Sequence, residues 1–341
     1  MRYRDFGTTG LKVSEIGFGA GIAAGLFISG TPDLQLQAMK KAFTLGINFF
    51  DTAPSYGHGV SETNLGLVME ELKGDVILGT KVGLQREEMK DPMGSIHRSL
   101  EGSLTRLRRN RVDILYLHNR VETERSVRGD ALPAITVGDV LNPGGIADAL
   151  EELQSQGLTR FIGFTATGHP DLTQLLIDSG RFQVIQAFYN LLNPSASLPI
   201  PETARVRNFR SVISMAAEKG VGVVVIRAIA GGALAGPEAR KGLAGPVDSS
   251  TIHGLTYQEE ERRAEKLDFL VSGDVTSRAE AALRFALMNE QVSTALVGFS
   301  SLDQIEEASR AAQKGSLPTS VWERLQALWA TDFQSTGEGA H

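Results

Sequence analysis

Eight short, strongly apolar runs constrain this chain more than any other feature: residues 14–19, 47–51, 76–81, 113–118, 161–165, 182–186, 221–226 and 294–298. Almost every run is followed by an amphipathic helical pattern, the signature of βα units that build a parallel sheet. Runs this apolar suit strands buried on both faces. Helical spacing is visible at Leu100, Leu104 and Leu107 before the fourth run and, more weakly, at Ala281, Leu283, Phe285 and Leu287 before the eighth. Eight such units with no Gly/Ser- or Pro-rich linker between halves predict one closed (β/α)8 TIM barrel over residues 1–333, with residues 334–341 as a disordered tail. Gly7-Thr8-Thr9-Gly10 lies between two short extended runs and predicts an N-terminal β-hairpin that plugs the barrel bottom. Trp322 and Trp329 mark an extra C-terminal helix packed on the barrel exterior. The competing fold is an open doubly wound sheet, for which Gly19-Ala-Gly-Ile-Ala-Ala24 supplies a lone glycine-rich match. One match is outweighed by eight units. Three connections are long, 119–145, 192–201 and 236–275, and segments of this length are expected to be functional lids or disordered.

Composition then narrows the function. The 341 residues are 42% hydrophobic, enough for a large core, and the formal net charge of −6 argues against a nucleic-acid partner. With no cysteine, disulfides and thiolate metal sites are ruled out, and a reducing compartment fits. Residues 1–6 lack the apolar core of a signal peptide, and nowhere are there about 18 uninterrupted apolar residues. A cytoplasmic protein without a membrane partner is expected. His97, His169, His253 and His341 show no ligand spacing, and His58 reads as an exposed loop residue, so no metal is expected. Arg106, Arg108, Arg109 and Arg111 read as a solvated helix end favoured by the helix dipole. The oligomeric state is left open, a homo-oligomer included.

Four ionisable residues stand at or just beyond the C-terminal ends of the second, third and fourth runs: Asp51, Tyr56, Lys81 and His118. Taken singly, each has a bland reading as a turn residue, a half-buried aromatic, a solvated strand end and a core histidine. In a barrel those strand ends converge on the face where such enzymes place their chemistry. Tyrosine has a reference pKa of about 10 and exchanges protons near neutrality only where a cation favours the phenolate. Lys81 is that cation, Asp51 would hold it protonated, and His118 would donate to a substrate oxygen. Proton delivery to an oxygen gaining negative charge is what carbonyl reduction requires, with hydride arriving from a nicotinamide.

The run Phe49-Phe-Asp-Thr-Ala-Pro-Ser-Tyr-Gly57, then Ser61-Glu62, Gly79-Thr-Lys-Val82 and Asp113-Ile-Leu-Tyr-Leu-His118, resembles the aldo-keto reductases in order and spacing. The likeness extends from the segment starting at Arg4 to about Ala312. It implies a catalytic tetrad of Asp51, Tyr56, Lys81 and His118 in an NAD(P)-dependent oxidoreductase acting on a small-molecule carbonyl or alcohol. It also implies cofactor contacts. Gln186 matches the family's carboxamide-binding glutamine, whereas Thr165-Ala166 stands where a Ser-Asn pair is usual, so Thr165 can supply a hydroxyl and the amide is missing. Ile226 replaces a stacking aromatic, and Arg227 follows where serine is common and can reach the pyrophosphate. Gly298, Ser300, Gln304 and Glu307 match the adenosine-phosphate loop, and Gly19, Asp51, Ile229 and Gly232 complete the implied set. Cations found in some relatives in place of Gly298 and Gln304 are absent, which keeps both NADP(H) and NAD(H) in view.

Two other functions fit parts of the pattern. A Schiff-base aldolase would use Lys81, and some members of the family serve as cofactor-binding regulatory subunits of membrane channels. Arg120, Arg125 and Arg128 in the first long connection raise the idea of a phosphate- or carboxylate-bearing substrate.

Overall fold

The computed structural model describes residues 1–126, 132–240, 242–247 and 254–334. Its first two strands, β1 (Tyr3–Asp5) and β2 (Lys12–Ser14), pair antiparallel. The next eight strands are β3 (Ile16–Gly19), β4 (Phe49–Asp51), β5 (Ile77–Val82), β6 (Val112–Leu117), β7 (Thr159–Ala166), β8 (Val184–Phe188), β9 (Gly222–Ile226) and β10 (Thr294–Gly298). All are parallel to their neighbours, and β10 pairs with β3 to close the ring. The apolar runs therefore mark the strands to within two residues. Closure rules out the open doubly wound sheet, and the Gly19–Ala24 match runs from the last residue of β3 through a turn to a helix of only four residues, Leu26–Ser29, with Ala24 packed where a Cβ on Gly298 would stand.

Helices fill the crossovers: α1 (Leu26–Ser29), α2 (Pro32–Thr44), α3 (Val60–Leu72), α4 (Pro92–Leu107), α5 (Val137–Leu141), α6 (Ile146–Ser155), α7 (Pro170–Asp178), α8 (Val212–Glu218), α9 (Tyr257–Glu265), α10 (Arg278–Met288), α11 (Leu302–Lys314) and α12 (Trp322–Ala330). Local chemistry sets their starts. Thr31 caps α2 ahead of Pro32, Asp91 caps α4 ahead of Pro92, and Ser301 caps α11. Leu100, Leu104 and Leu107 of α4 are buried, as their spacing predicted.

Two apolar layers result. The larger lies between strands and helices and includes Phe18, Phe50, Leu115, Phe164 and Ile185. The smaller fills the barrel with Phe49, Ile114, Tyr116, Val184 and Val224, sealed below by Phe6 and Val13 of the hairpin. Gly7 lets the hairpin dock: its φ is +56°, and a Cβ there would lie 2.4 Å from the Gly220 carbonyl oxygen. Inside, missing side chains make room for large ones, since a Cβ on Gly17 would meet Phe49 Cδ1 at 2.7 Å. Trp329 Nε1 donates to the Leu191 carbonyl at 2.8 Å and packs with Trp322 around Phe285, which fixes α12 to the barrel exterior.

The described residues of two of the long connections include regular structure. Segment 119–145 carries α5 and a bridge between Val121 and Ile135, while 236–275 carries α9, started by a Thr256–Glu259 capping box. Arg128, His253 and the tail at 335–341 lie outside the described residues.

Candidate active site

The barrel brings Asp51, Tyr56, Lys81 and His118 together. Asp51 ends β4 and Lys81 stands next to last in β5, both almost wholly buried, and their side chains form an ion pair. Lys81 Nζ also donates to the Thr52 carbonyl at 2.7 Å and lies 4.8 Å from the centre of the Tyr56 ring. His118 follows β6, its backbone amide donating to the Val82 carbonyl at 2.8 Å, and its ring meets Tyr56 edge-on with centroids 6.2 Å apart. The phenol is thus flanked by an ammonium and an imidazole at the C-terminal ends of the strands.

The loop that presents Tyr56 is tied down. Ser61 Oγ donates to the Ala20 carbonyl and shares a 2.8 Å hydrogen bond with Thr52 Oγ1. Gly57, His58 and Gly59 turn through three successive left-handed residues to start α3. Glu62, fully buried, accepts from Thr80 Oγ1 at 2.6 Å and from Arg106 Nε at 2.7 Å. This corrects the reading of Arg106 as a solvated helix end. Its guanidinium supports the carboxylate that accepts from Thr80, the residue before Lys81, and its stem crosses Gly59, where a Cβ would lie 2.7 Å from Arg106 Cδ.

Electrostatics follow from burial. For Lys81, desolvation favours the neutral amine, but the Asp51 carboxylate and Tyr56 outweigh it and hold the ammonium above its ordinary range. Burial raises Asp51 despite Lys81 and a hydrogen bond from Gln186. Desolvation, with the Lys81 charge, pushes His118 down to about 3, so the imidazole is neutral at pH 7. A lysine held protonated cannot attack a carbonyl, which weighs against the Schiff-base aldolase.

The expected cofactor residues fall into two groups. Thr165 and Gln186 reach the tetrad: Thr165 Oγ1 donates to the His118 carbonyl at 3.2 Å, and Gln186 Nε2 donates to Asp51 Oδ2 at 2.7 Å. Arg227, Ile229, Gly232, Gly298, Ser300, Gln304 and Glu307 line a groove of about 620 Å³ beside the ends of β9 and β10. Gly19, Asp51, Ile226, Thr165 and Gln186 do not line it. Ser300 Oγ donates to the Ala24 carbonyl at 2.7 Å and Gln304 Nε2 to the Ala239 carbonyl at 2.9 Å, so both knit the walls of the groove together.

Sequence reasoning missed Arg240. Its guanidinium lies 4.7 Å from the Tyr257 ring centre, and its Nε is buried without a hydrogen-bond partner. Two glycines in left-handed backbone admit the arginines. A Cβ on Gly231 would stand 2.5 Å from Arg227 Nη1, and one on Gly232 2.5 Å from Arg240 Cδ. Arg227 and Ala230 themselves hold left-handed φ values of +58° and +49°, backbone that proteins keep mainly at functional sites. Arg227 and Arg240 line the groove together with Ser300 and Gln304 near the start of α11, beside the carboxylates Glu280 and Glu307, and guanidiniums in such a lining suit a phosphate-bearing ligand such as a dinucleotide. Arg125, by contrast, is engaged by Asp139.

Comparison with known proteins shows the family to which the chain belongs. A family model described as Aldo/keto reductase family matches residues 15–330. The chain belongs to that family, and it is an NAD(P)-dependent oxidoreductase. It is 30% identical over 315 residues to L-galactose dehydrogenase of Arabidopsis thaliana, covering 90% of this chain and 86% of that protein. It is 23% identical to D-threo-aldose 1-dehydrogenase of a Pseudomonas species, covering 93% and 94% of the two chains. Its fold superposes on the holo form of an aldo-keto reductase from Bacillus halodurans with a TM-score of 0.70 and 25% identity, covering 98% of this chain and 99% of that one. Among the described residues no helix is long and apolar enough to cross a membrane, and no group of three or more His, Asp or Glu is placed to hold a metal.

Proposed function

We propose that this protein interconverts a small aldehyde, ketone or sugar and the corresponding alcohol or oxidised sugar, with Tyr56 as general acid/base and NADP(H) or NAD(H) as cofactor. The observation that carries the reading is the position of Tyr56 between the Lys81 ammonium and the neutral His118 ring at the open end of the barrel. When bound, the nicotinamide supplies or accepts the hydride at the substrate carbon.

The chain's own residues handle the proton. In reduction, the Tyr56 hydroxyl gives its proton to the oxygen as negative charge develops there, and the adjacent Lys81 ammonium stabilises the phenolate left behind. In oxidation, that phenolate takes the proton back. Asp51 keeps Lys81 charged and in place. Neutral His118 donates a hydrogen bond to the substrate oxygen without competing as an acid. Arg227 and Arg240 would hold the pyrophosphate in the groove, and Thr165 and Gln186 would orient the carboxamide.

The relatives named for L-galactose and D-threo-aldose make aldoses the first substrates to test. The experiment is steady turnover with a panel of aldoses and simple aldehydes, preceded by fluorescence titration with NADH and NADPH. Turnover that disappears in Tyr56→Phe supports the reading. Retained turnover in that variant, or no binding of either dinucleotide, overturns it.

A further inference from the structure

The groove beside the ends of β9 and β10 extends past the arginines assigned to the pyrophosphate. A dinucleotide carries its pyrophosphate in the middle. With the nicotinamide directed to Gln186 and Thr165 and the phosphates to Arg227 and Arg240, the lining left for the adenosine half is that between α10 and α11. Ala279, Leu283 and Ala308 supply an apolar wall there, and Glu280, Gln304 and Glu307 supply polar atoms. NAD(H) and NADP(H) differ only at one adenosine ribose hydroxyl, which NADP(H) carries as a phosphate. A phosphate needs cations or unspent N–H donors around it.

That end of the groove is poor in both. From Gly298 to Ser309 the sequence holds no lysine or arginine, but three carboxylates: Asp303, Glu306 and Glu307. Gln304 is fixed at both ends of its amide, where Oε1 accepts from the Ser300 N–H at 2.8 Å and Nε2 donates to the Ala239 carbonyl at 2.9 Å. Its own backbone N–H donates to Ser301 Oγ at 3.4 Å, so two donors at the start of α11 are spent. The cations farther along α11 carry carboxylate partners. Lys314 Nζ donates to both oxygens of Glu280, at 2.8 and 3.0 Å, and Arg310 Nη1 lies 3.8 Å from Glu306 Oε2. Glu307 differs from these carboxylates: it is exposed, it lines the groove about one turn after Gln304, and among the described residues it has no ion-pair partner. A carboxylate so placed accepts hydrogen bonds from ribose hydroxyls and repels a phosphate. We propose that the groove selects NAD(H) over NADP(H): Glu307 distinguishes the two by accepting from the ribose hydroxyls, and Gln304, its amide already spent, offers nothing to a 2′-phosphate. The inference rests on the nicotinamide reading.

The test titrates NADH and NADPH, followed by nicotinamide fluorescence, into wild type, Glu307→Gln and the double variant Gln304→Arg/Glu307→Gln. Wild type is expected to bind NADH roughly tenfold or more tighter than NADPH. That preference should fall by about three- to tenfold in Glu307→Gln, which removes the charge and keeps the size, and should reverse in the double variant, which adds a guanidinium. Because Glu307 is exposed, the single variant should melt with the wild type. Wild type that binds NADPH as tightly as NADH overturns the inference and leaves the nicotinamide reading standing. So does a Glu307→Gln variant in which both dissociation constants change by the same factor. Wild type that binds neither dinucleotide sinks the nicotinamide reading itself, and is read before the variants are made.

Discussion

The Lys81 ammonium lies 4.8 Å from the centre of the Tyr56 ring, placed there by an ion pair to Asp51 rather than by any contact with solvent. That arrangement makes the phenolic proton the element of the site most open to a direct test. Tyr56→Phe should lower kcat by roughly 10²–10⁴-fold, the usual contribution of a positioned general acid. Cofactor dissociation constants should stay within about twofold, since the hydroxyl is not used to bind the dinucleotide. Steady-state kinetics with fluorescence titration of the same preparations decide the matter, and a variant that still turns over removes Tyr56 from the mechanism.

The ion pair itself predicts a stability pattern. Lys81→Met leaves a buried carboxylate with Gln186 as its remaining partner, and Asp51→Asn leaves a buried ammonium facing the Thr52 carbonyl. Each single variant should unfold roughly 3–5 kcal/mol more easily in urea, because one charge remains uncompensated. The double variant should recover a large part of that loss. Strict additivity of the two losses would show that the charges do not depend on each other.

His118 predicts the pH dependence. Its ionisation lies at about 3 in the folded protein against an ordinary value of 6.5, so the unfolded chain binds the extra proton first. The stability it contributes is present above about pH 6.5 and is lost as pH falls toward 3, by roughly 1–3 kcal/mol near pH 4.5 after allowing for its partial exposure. His118→Phe should flatten this slope in urea midpoints measured across that window. An identical slope in both proteins would place the titrating group elsewhere.

Arg106 predicts that support for the Tyr56 loop comes from outside the tetrad. Arg106→Ala strands the buried Glu62 carboxylate with the Thr80 hydroxyl alone, at a cost of roughly 1–3 kcal/mol. Adding Glu62→Gln to that variant should restore much of the melting temperature, since the stranded charge is then gone. If the second substitution lowers the melting temperature further, Glu62 is stabilised by something other than this pair.

Much of this architecture can be read from the sequence because parallel strands buried on both faces appear as unbroken apolar runs, and a polar residue ending such a run is conspicuous. Asp51, Lys81 and His118 stand out for that reason. Residues whose partners are remote do not. Arg106 looks like part of a basic helix end until the fold places Glu62 against it, and Gln186 meets Asp51 across 135 residues of chain. Tyr116 reads as one more core aromatic, because nothing in its neighbourhood records that the space around it comes from glycines on two other strands. Helix α9 escaped notice for a simpler reason: its sequence, YQEEERRAE, is almost all polar and has no apolar period to detect.

The seam of the barrel has a consequence for how the molecule is made. Residues 16–19 find their partner in 294–298, so a chain emerging from the ribosome displays every tetrad residue long before the ring can shut. Until then β3 is an open edge, competent to pair with any other extended segment, and the nascent sheet must keep a charged lysine and aspartate out of water without its final wall. Synthesis of the last βα unit is therefore the moment that decides between a finished barrel and a tangle with its neighbours. Slowing translation before residue 294 should increase aggregation, whereas slowing it after residue 298 should not.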